Sequence, residues 1–261
     1  MGNGLPTHEL LRLTEAVTGR SRTALFHGPA LTSDERRRLD GLVARRLAGE
    51  PLQYLEGSVS FGGLEIAVDR RALIPRPETE ELLELAAESV VDPDVIVDLC
   101  TGSGNLALAL KHRFPGAELH ATDVDDDALA LAAENGRRLG LEVRFGHGDL
   151  FEPLPDEIRG AVDLIVANPP YVAVGDELPP VVRDHEPPVA LFAGDDGLDV
   201  VRRIGATAAD WLAPSGVVAV EVGADHAAAA SALFRDLTTR VVVDMAGHDR
   251  FVIGRRPHRA E

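Results

Sequence analysis

Apolar residues recur at helical spacing twice in the first fifth of the chain. Leu10, Leu11, Leu13 and Val17 mark one helix, and Leu39, Leu42, Val43 and Leu47 repeat at i, i+3, i+4 and i+8 in another. Thr32, followed by Ser33, Asp34 and Glu35, gives the second helix a capping start, and Gly49, Glu50 and Pro51 stop it. The period then changes. Val59, Phe61, Leu64, Ile66 and Val68 alternate around Gly62-Gly63, which predicts a β-hairpin. The stretch from Ile74 to Glu80 carries two prolines that fix φ and reads as a stiff loop, with Thr79 or Glu78 starting a helix over 80–90.

From Val95 onward strands and helices alternate. Strands are predicted over 95–99, 118–122, 142–145, 162–167 and 217–222, with helices over 106–114, 128–139, near 198–212 and over 224–234. Two further strands, near 240–245 and 251–255, have no helix between them and should form an antiparallel hairpin at the sheet edge. Repeated βα units imply a mostly parallel, seven-stranded sheet with helices on both faces, an α/β fold. The pattern divides the chain into a helical region (1–56), a hairpin and linker (57–78) and an α/β domain (79–261).

Composition narrows the classes of function. An apolar share of 45% with 26% charged residues is ordinary for a globular chain, and 261 residues suit one large α/β domain with an appendage. The net charge is −17, yet residues 1–56 hold eight arginines against seven acids, so the acidity belongs to the α/β part. That balance counts against nucleic-acid binding, which relies on Lys and Arg to neutralise phosphates. The single cysteine, Cys100, rules out an internal disulfide framework and a Cys-based zinc cluster. No apolar run is long enough for a membrane span and the N-terminus lacks a basic-then-apolar leader, so a cytoplasmic protein without membrane contact is expected.

The candidate chemistry sits at strand ends. The strand over 95–99 runs into Cys100, Thr101, Gly102, Ser103 and Gly104 and then a helix. Glycines at such a turn let a ligand approach the backbone, and the helix N-terminus offers unpaired N–H groups. Asp123 ends the next strand, where a carboxylate can accept both hydroxyls of an adenosine ribose, and Asp149 after the third could take the adenine amino group. A dinucleotide site would need glycine where Ala107 stands, and a phosphate loop would need a Gly-Lys-Ser/Thr run that is absent. S-adenosylmethionine (SAM), a cationic sulfonium without phosphate, fits this acidic set best. Asp123, Asp125, Asp127 and Glu134 imitate a calcium loop, but Ala128 occupies the position that needs glycine, so these acids are read as caps of the following helix and no metal site is expected.

The strand over 162–167 leads into Asn168-Pro169-Pro170-Tyr171. An amide nitrogen has a delocalised lone pair and attacks a methyl sulfonium poorly. The Asn168 side-chain carbonyl and the Pro169 backbone carbonyl can accept its two N–H bonds, orienting the lone pair and stabilising the developing charge. Tyr171 can stack on the planar acceptor group.

With these strings the chain resembles the HemK/PrmC protein-(glutamine-N(5)) methyltransferases. The matching segments are GEPLQYLEG at 49–57, LIPRPETE at 73–80, DLCTGSG at 98–104, NPPYV at 168–172 and HEPPVALFAGDDGL at 185–198. The resemblance implies a class I SAM-dependent methyltransferase fold, Rossmann-like, with SAM as cofactor. It also implies a peptide chain release factor as protein partner, methylated on the glutamine of its Gly-Gly-Gln tripeptide. It further implies that Cys100 to Gly104, Asp123, Asp149, Leu150 and Asn168 hold SAM, that Asn168 to Tyr171 bind the target amide, and that the loop over 76–79 lies over the cofactor. Cys100 stands where glycine is commoner in the family, and Asn105 where a small apolar residue is usual. Leu10 already aligns with the middle of the family's helical accessory domain, so a shortened recognition region is expected. A small-molecule amide or guanidine is the alternative acceptor.

Overall fold

The computed structural model describes residues 4–257. Four helices open the chain: α1 (Thr7–Thr18), α2 (Arg22–His27), α3 (Ser33–Leu47) and α4 (Leu52–Glu56). The apolar stripes set by periodicity meet one another, with Leu13, Val17, Leu39 and Val43 closing a small core with Leu52 and Leu55. The expected cap of α3 forms in both directions. The Glu35 amide donates to the Thr32 hydroxyl at 3.2 Å, and the Thr32 amide donates to the Glu35 carboxylate at 2.7 Å. Ion pairs from Arg46 to Glu9 and from Arg12 to Glu56 tie the helices together.

The hairpin follows, β1 (Ser58–Phe61) and β2 (Leu64–Ala67), with Phe61 opposite Leu64 across a two-residue Gly62-Gly63 turn. Both glycines have positive φ, 55° and 78°, which the twist of a two-residue hairpin turn demands. Helix α5 (Pro77–Glu88) starts earlier than the sequence suggests. Pro77 takes the first helical position, where its fixed φ is preorganised and its missing N–H costs nothing. Thr79 is therefore no cap; it lies in the first turn, 2% exposed.

The remaining elements alternate: β3 (Val95–Leu99), α6 (Asn105–Arg113), β4 (Glu118–Asp123), α7 (Asp126–Leu139), β5 (Arg144–His147), β6 (Val162–Ala167), α8 (Pro180–Arg183), α9 (Asp199–Trp211), β7 (Leu212–Glu221), α10 (Ala227–Ser231), β8 (Thr238–Val243) and β9 (Asp249–Arg255). They build a seven-stranded sheet in the order β5-β4-β3-β6-β7-β9-β8. The first five are parallel, and β9 runs antiparallel to both β7 and β8. The fold is the expected mostly parallel α/β sheet with an antiparallel edge hairpin. Apolar cores cover both faces, one with α5, α6 and the hairpin, the other with α9 and α10.

Some boundaries differ from expectation. β5 lies two residues later than predicted, because pairing of Arg144 with His120 and of Phe145 with Ala121 sets the strand, not the apolar residues before it. α10 is shorter than the stretch predicted from its alanines. Among the described residues no helix is long and apolar enough to cross a membrane, and no group of three or more His, Cys, Asp or Glu is placed to hold a metal ion. Asp125 accepts from the Asp127 amide at 2.9 Å and caps α7, as the acid run suggested.

One buried side chain joins the hairpin to the α/β part. Asn135 of α7, fully buried, accepts from the Ala67 amide at 2.8 Å and donates to the carbonyls of Ala67 and Ser103, each at 3.0 Å. Asn135→Ala leaves several buried backbone groups without partners and should cost about 2–4 kcal/mol, read by urea unfolding. A change under ~0.5 kcal/mol would mean that water replaces the amide without loss.

Candidate active site

The turn after β3 is pinned from beneath. Asp98, at the end of the strand and fully buried, accepts from the Thr101 hydroxyl at 2.6 Å and the Ala107 amide at 3.1 Å. Burial pushes its pKa up to about 7, against the pull of those two bonds. The Thr101 amide donates to the Thr122 carbonyl at 3.0 Å, and the Thr122 hydroxyl donates to the Leu150 carbonyl at 2.8 Å, so three strand ends are fastened to one another. Gly102 and Gly104 have φ of 54° and 79°. A Cβ on Gly104 would lie 3.1 Å from that of Ala132, so this glycine lets α7 pack close beneath the turn. Cys100 adopts φ of 59° without being glycine, a conformation that costs a β-carbon-bearing residue of order 1 kcal/mol. The commoner glycine of the family suits that backbone better.

Above the turn lies a cleft of about 1100 Å³, including its open mouth. Asp123 reaches into it from the end of β4, with its carboxylate accepting from the Gly102 amide at 2.8 Å and the Asp125 amide at 3.0 Å. Burial raises its pKa, and the backbone amides offset part of that rise. Each carboxylate oxygen keeps a lone pair for a further donor. Asp149, after β5, is ion-paired with Arg203 of α9 across the same cleft. The far wall comes from Pro187, Val189 and Phe192, in the loop between α8 and α9.

At the end of β6 a second set of contacts forms. The Asn168 amide nitrogen donates to the Thr79 hydroxyl at 2.9 Å, and that hydroxyl donates to Glu221 at 2.8 Å. The Tyr171 hydroxyl donates to the other oxygen of Glu221 at 3.4 Å. Glu221 ends β7 and is 1% exposed; burial pushes its pKa up to about 7, with the Thr79 bond and the Arg250 charge acting against the rise.

Most of the expected residues meet. Cys100, Thr101, Gly102, Ser103, Asp123, Asp149, Leu150, Asn168 and Pro170 all line the cleft. Gly104, Pro169 and Tyr171 are not in its lining: Gly104 is turned onto Ala132, Pro169 is buried, and the Tyr171 hydroxyl is turned to Glu221. The loop expected to cover the cofactor is displaced along the chain. Ala72, Leu73, Pro75 and Thr79 line the cleft, whereas Arg76 turns away to pair at 2.6 Å with the buried Glu186 of the 185–198 string. Glu221 and Arg203 went unnoticed in the sequence. A lone acid inside the apolar run 217–222 is the available sign of the first, and nothing in the sequence marks the second.

A family model described as "Methyltransferase small domain" matches residues 79–184, and one described as "PrmC N-terminal domain" matches residues 2–57. A release factor glutamine methyltransferase of Deinococcus radiodurans is 42% identical, over 97% of this chain and 93% of that one. The chain belongs to the release factor glutamine methyltransferase family. The Mycolicibacterium smegmatis member is 44% identical over 82% of this chain and 78% of its own. Among solved structures, a methyltransferase from Pyrococcus furiosus superposes with a TM-score of 0.57 at 18% identity, covering 87% of this chain and all of that one. The E. cuniculi Mtq2–Trm112 complex, titled for methylation of the eRF1 termination factor, gives 0.52 at 19%, over 72% of this chain and 99% of that one. These likenesses show the Rossmann-like class I methyltransferase fold.

The Cys100 thiol lines the cleft of this family member, yet burial and the nearby Asp123 and Asp98 carboxylates push its pKa up. A thiolate is the reactive form, so iodoacetamide should label the folded chain at least about tenfold more slowly than the urea-unfolded chain at the same pH. Equal rates by mass spectrometry would contradict a buried, protonated thiol.

Proposed function

We propose that this chain methylates the side-chain amide nitrogen of a glutamine in a peptide chain release factor, with SAM as the methyl donor. The observation that carries the reading is the placement of Asn168 on the same cleft as Asp123 and the glycine turn, in a chain of this family. The residues present fit SAM. The Asp123 carboxylate has lone pairs left for ribose hydroxyls, and Gly102 has no neighbour nearer than 4.0 Å to where its Cβ would be, leaving the backbone approachable. Asp149 and Leu150 flank the place for the adenine, and the acids suit a cationic ligand. Bound there, SAM supplies an electrophilic methyl on sulfur.

Asn168 already has its Nδ2 engaged with Thr79, so its Oδ1 is the atom left for an incoming N–H. An N–H held on Oδ1 orients the amide with its nitrogen lone pair toward the methyl, while the Pro169 carbonyl, expected to accept the other N–H, belongs to a buried residue outside the cleft lining. Tyr171 keeps its hydroxyl on Glu221 and lies outside the cleft lining, so in this structure it holds Glu221 and does not wall the amide. Among the described residues no group stands ready as a general base, and none is required, because the nitrogen becomes acidic once it carries the methyl. In this reading the helical region (1–56) recognises the protein substrate, 57–78 links it to the catalytic part (79–261), and nucleic acid is not a direct partner. The small-molecule alternative has no observation in its favour, since relatives of 37–44% identity are release factor enzymes.

Incubation with SAM and unmethylated release factor, followed by peptide mass spectrometry, should show one added methyl on the Gly-Gly-Gln glutamine. No methyl, from protein shown to bind SAM, would overturn the reading. Asn168→Ala should lower turnover about 10²–10³-fold or more while SAM affinity holds. Asp123→Ala should instead weaken SAM about 10- to 100-fold, the scale of a lost charge-assisted hydrogen bond, measured by calorimetry. Unchanged affinity would mean that the ribose lies elsewhere.

A further inference from the structure

An amide side chain has two ends of nearly equal size, and only one of them can accept a hydrogen bond. The acceptor site works only if Asn168 presents Oδ1. A half-turn about its last bond would present Nδ2 instead, and a donor there would repel the N–H of an incoming amide. Something must therefore fix the sense of this amide before substrate arrives.

The structure contains a chain of donors and acceptors with one direction. Glu221, as a carboxylate, has no proton to give; its two oxygens accept from Thr79 at 2.8 Å and from Tyr171 at 3.4 Å. Thr79 has one hydroxyl proton, and that proton is committed to Glu221. Toward Asn168 it offers only lone pairs, so Asn168 must turn Nδ2 to it, and does so at 2.9 Å. Among the described residues Oδ1 of Asn168 makes no hydrogen bond to side chain or backbone, and it is not sealed from solvent. Glu221 does not touch the acceptor site, since Thr79 and Tyr171 stand between them.

We propose that Glu221 is a positioning residue for methyl transfer: acting through the Thr79 hydroxyl, it holds the Asn168 amide with Oδ1 toward the acceptor. This rests on the reading that Asn168 Oδ1 receives the substrate N–H. It also gives the LIPRPETE string a task other than covering the cofactor, because Thr79 is the link in the chain. The direction of the relay depends on the charge of Glu221. If protonated, its O–H can donate to Thr79, the Thr79 proton is released toward Asn168, and the amide loses its preferred sense.

The groups facing Glu221 set where that happens. They are Thr79 and Glu78 of α5, Tyr171 after β6, and Arg250 of β9, which is itself paired with Asp244. Burial and Glu78 favour the acid, while Thr79, Arg250 and Tyr171 favour the carboxylate, and the balance lies at about 7. The ionised form is the working form, so turnover should rise with pH as Glu221 loses its proton.

The test is kcat at saturating SAM on full-length release factor, from about pH 5.5 to 9, for wild type, Thr79→Val, Thr79→Ser, Glu221→Gln and Asn168→Ala. SAM affinity and melting temperature are measured on each. Thr79→Val, matched in shape but without a hydroxyl, should lose about 10- to 100-fold in kcat and the limb that rises near neutral pH, with SAM affinity unchanged. Thr79→Ser should restore most of the loss together with the limb. Glu221→Gln should lower kcat and flatten the same limb, and it keeps the test open if the valine variant folds poorly. Saturating SAM removes any effect of Asp98, whose pKa burial also pushes up to about 7, on SAM affinity, and loss of the limb in Thr79→Val and Glu221→Gln, which leave Asp98 in place, assigns the limb to Glu221. Wild-type kcat and an unchanged limb in both Thr79→Val and Glu221→Gln would overturn the inference. If Asn168→Ala is inactive while those two are not, only the relay fails; if Asn168→Ala stays active, the acceptor reading itself fails.

Discussion

Parallel pairing of β3 with β4 on one side and β6 on the other is the constraint from which the site follows. The chain lays down β4 and β5 to one side of β3, then crosses back to lay down β6 and β7 on the other. Connections leave in opposite directions at that point, and a crevice opens outside the strands' carboxyl ends. Because β3, β4, β5, β6 and β7 are parallel, the glycine turn, Asp123, Asp149, Asn168 and Glu221 all emerge along the same edge. β3, β4, β6 and the end of β7 behind them are buried on both faces, so the residues at their ends inherit the rigidity of a packed sheet. Residues far apart in sequence are thereby brought to one cleft.

The segment before the sheet completes that cleft. Tyr54 of α4 donates to the Ala72 carbonyl at 2.8 Å, Asn135 grips Ala67, Arg76 pairs with the buried Glu186, and Thr79 joins Asn168 to Glu221. Asn135–Ala67 and Arg76–Glu186 cross between the linker and the α/β part, Tyr54–Ala72 ties α4 to the linker, and Thr79 carries the start of α5 to the strand ends; three of the four involve strings that single the family out. The cleft wall over residues 72–75 is thus fastened at both ends. Breaking Arg76 from Glu186 would leave a buried carboxylate unpaired, which is why this contact matters more than the many exposed ion pairs.

Much of this was legible in the sequence, and the reasons are local. β3 and β6 are short, mostly apolar runs, each with one aspartate, that lead into turn residues, and α3 carries its start signal in Thr32 and Glu35. Cleft residues such as Gly102, Asp123 and Asn168 stand out because each lies at or just after the end of a strand. What escaped depends on partners distant in sequence. β5 is placed by its ladder to β4, and its own residues are half-buried and polar, so no alternation marks it. Thr79 has the residue type of a helix cap, but Pro77 takes the first helical position, which leaves the Thr79 hydroxyl to Glu221. Glu221 sits inside the apolar run 217–222, and its partners on α5 and after β6 come together only once the sheet is closed.

The claim at the centre is that the edge of this sheet presents a carbonyl, Asn168 Oδ1, to a glutamine amide. It is tested most directly by a crystal structure of the complex with S-adenosylhomocysteine and release factor. The account predicts the glutamine nitrogen within about 2.7–3.2 Å of Asn168 Oδ1, with Nδ2 still on Thr79 and the ribose hydroxyls on Asp123. A glutamine amide bound elsewhere in the cleft, or an Asn168 that turns its nitrogen to the substrate, would contradict it.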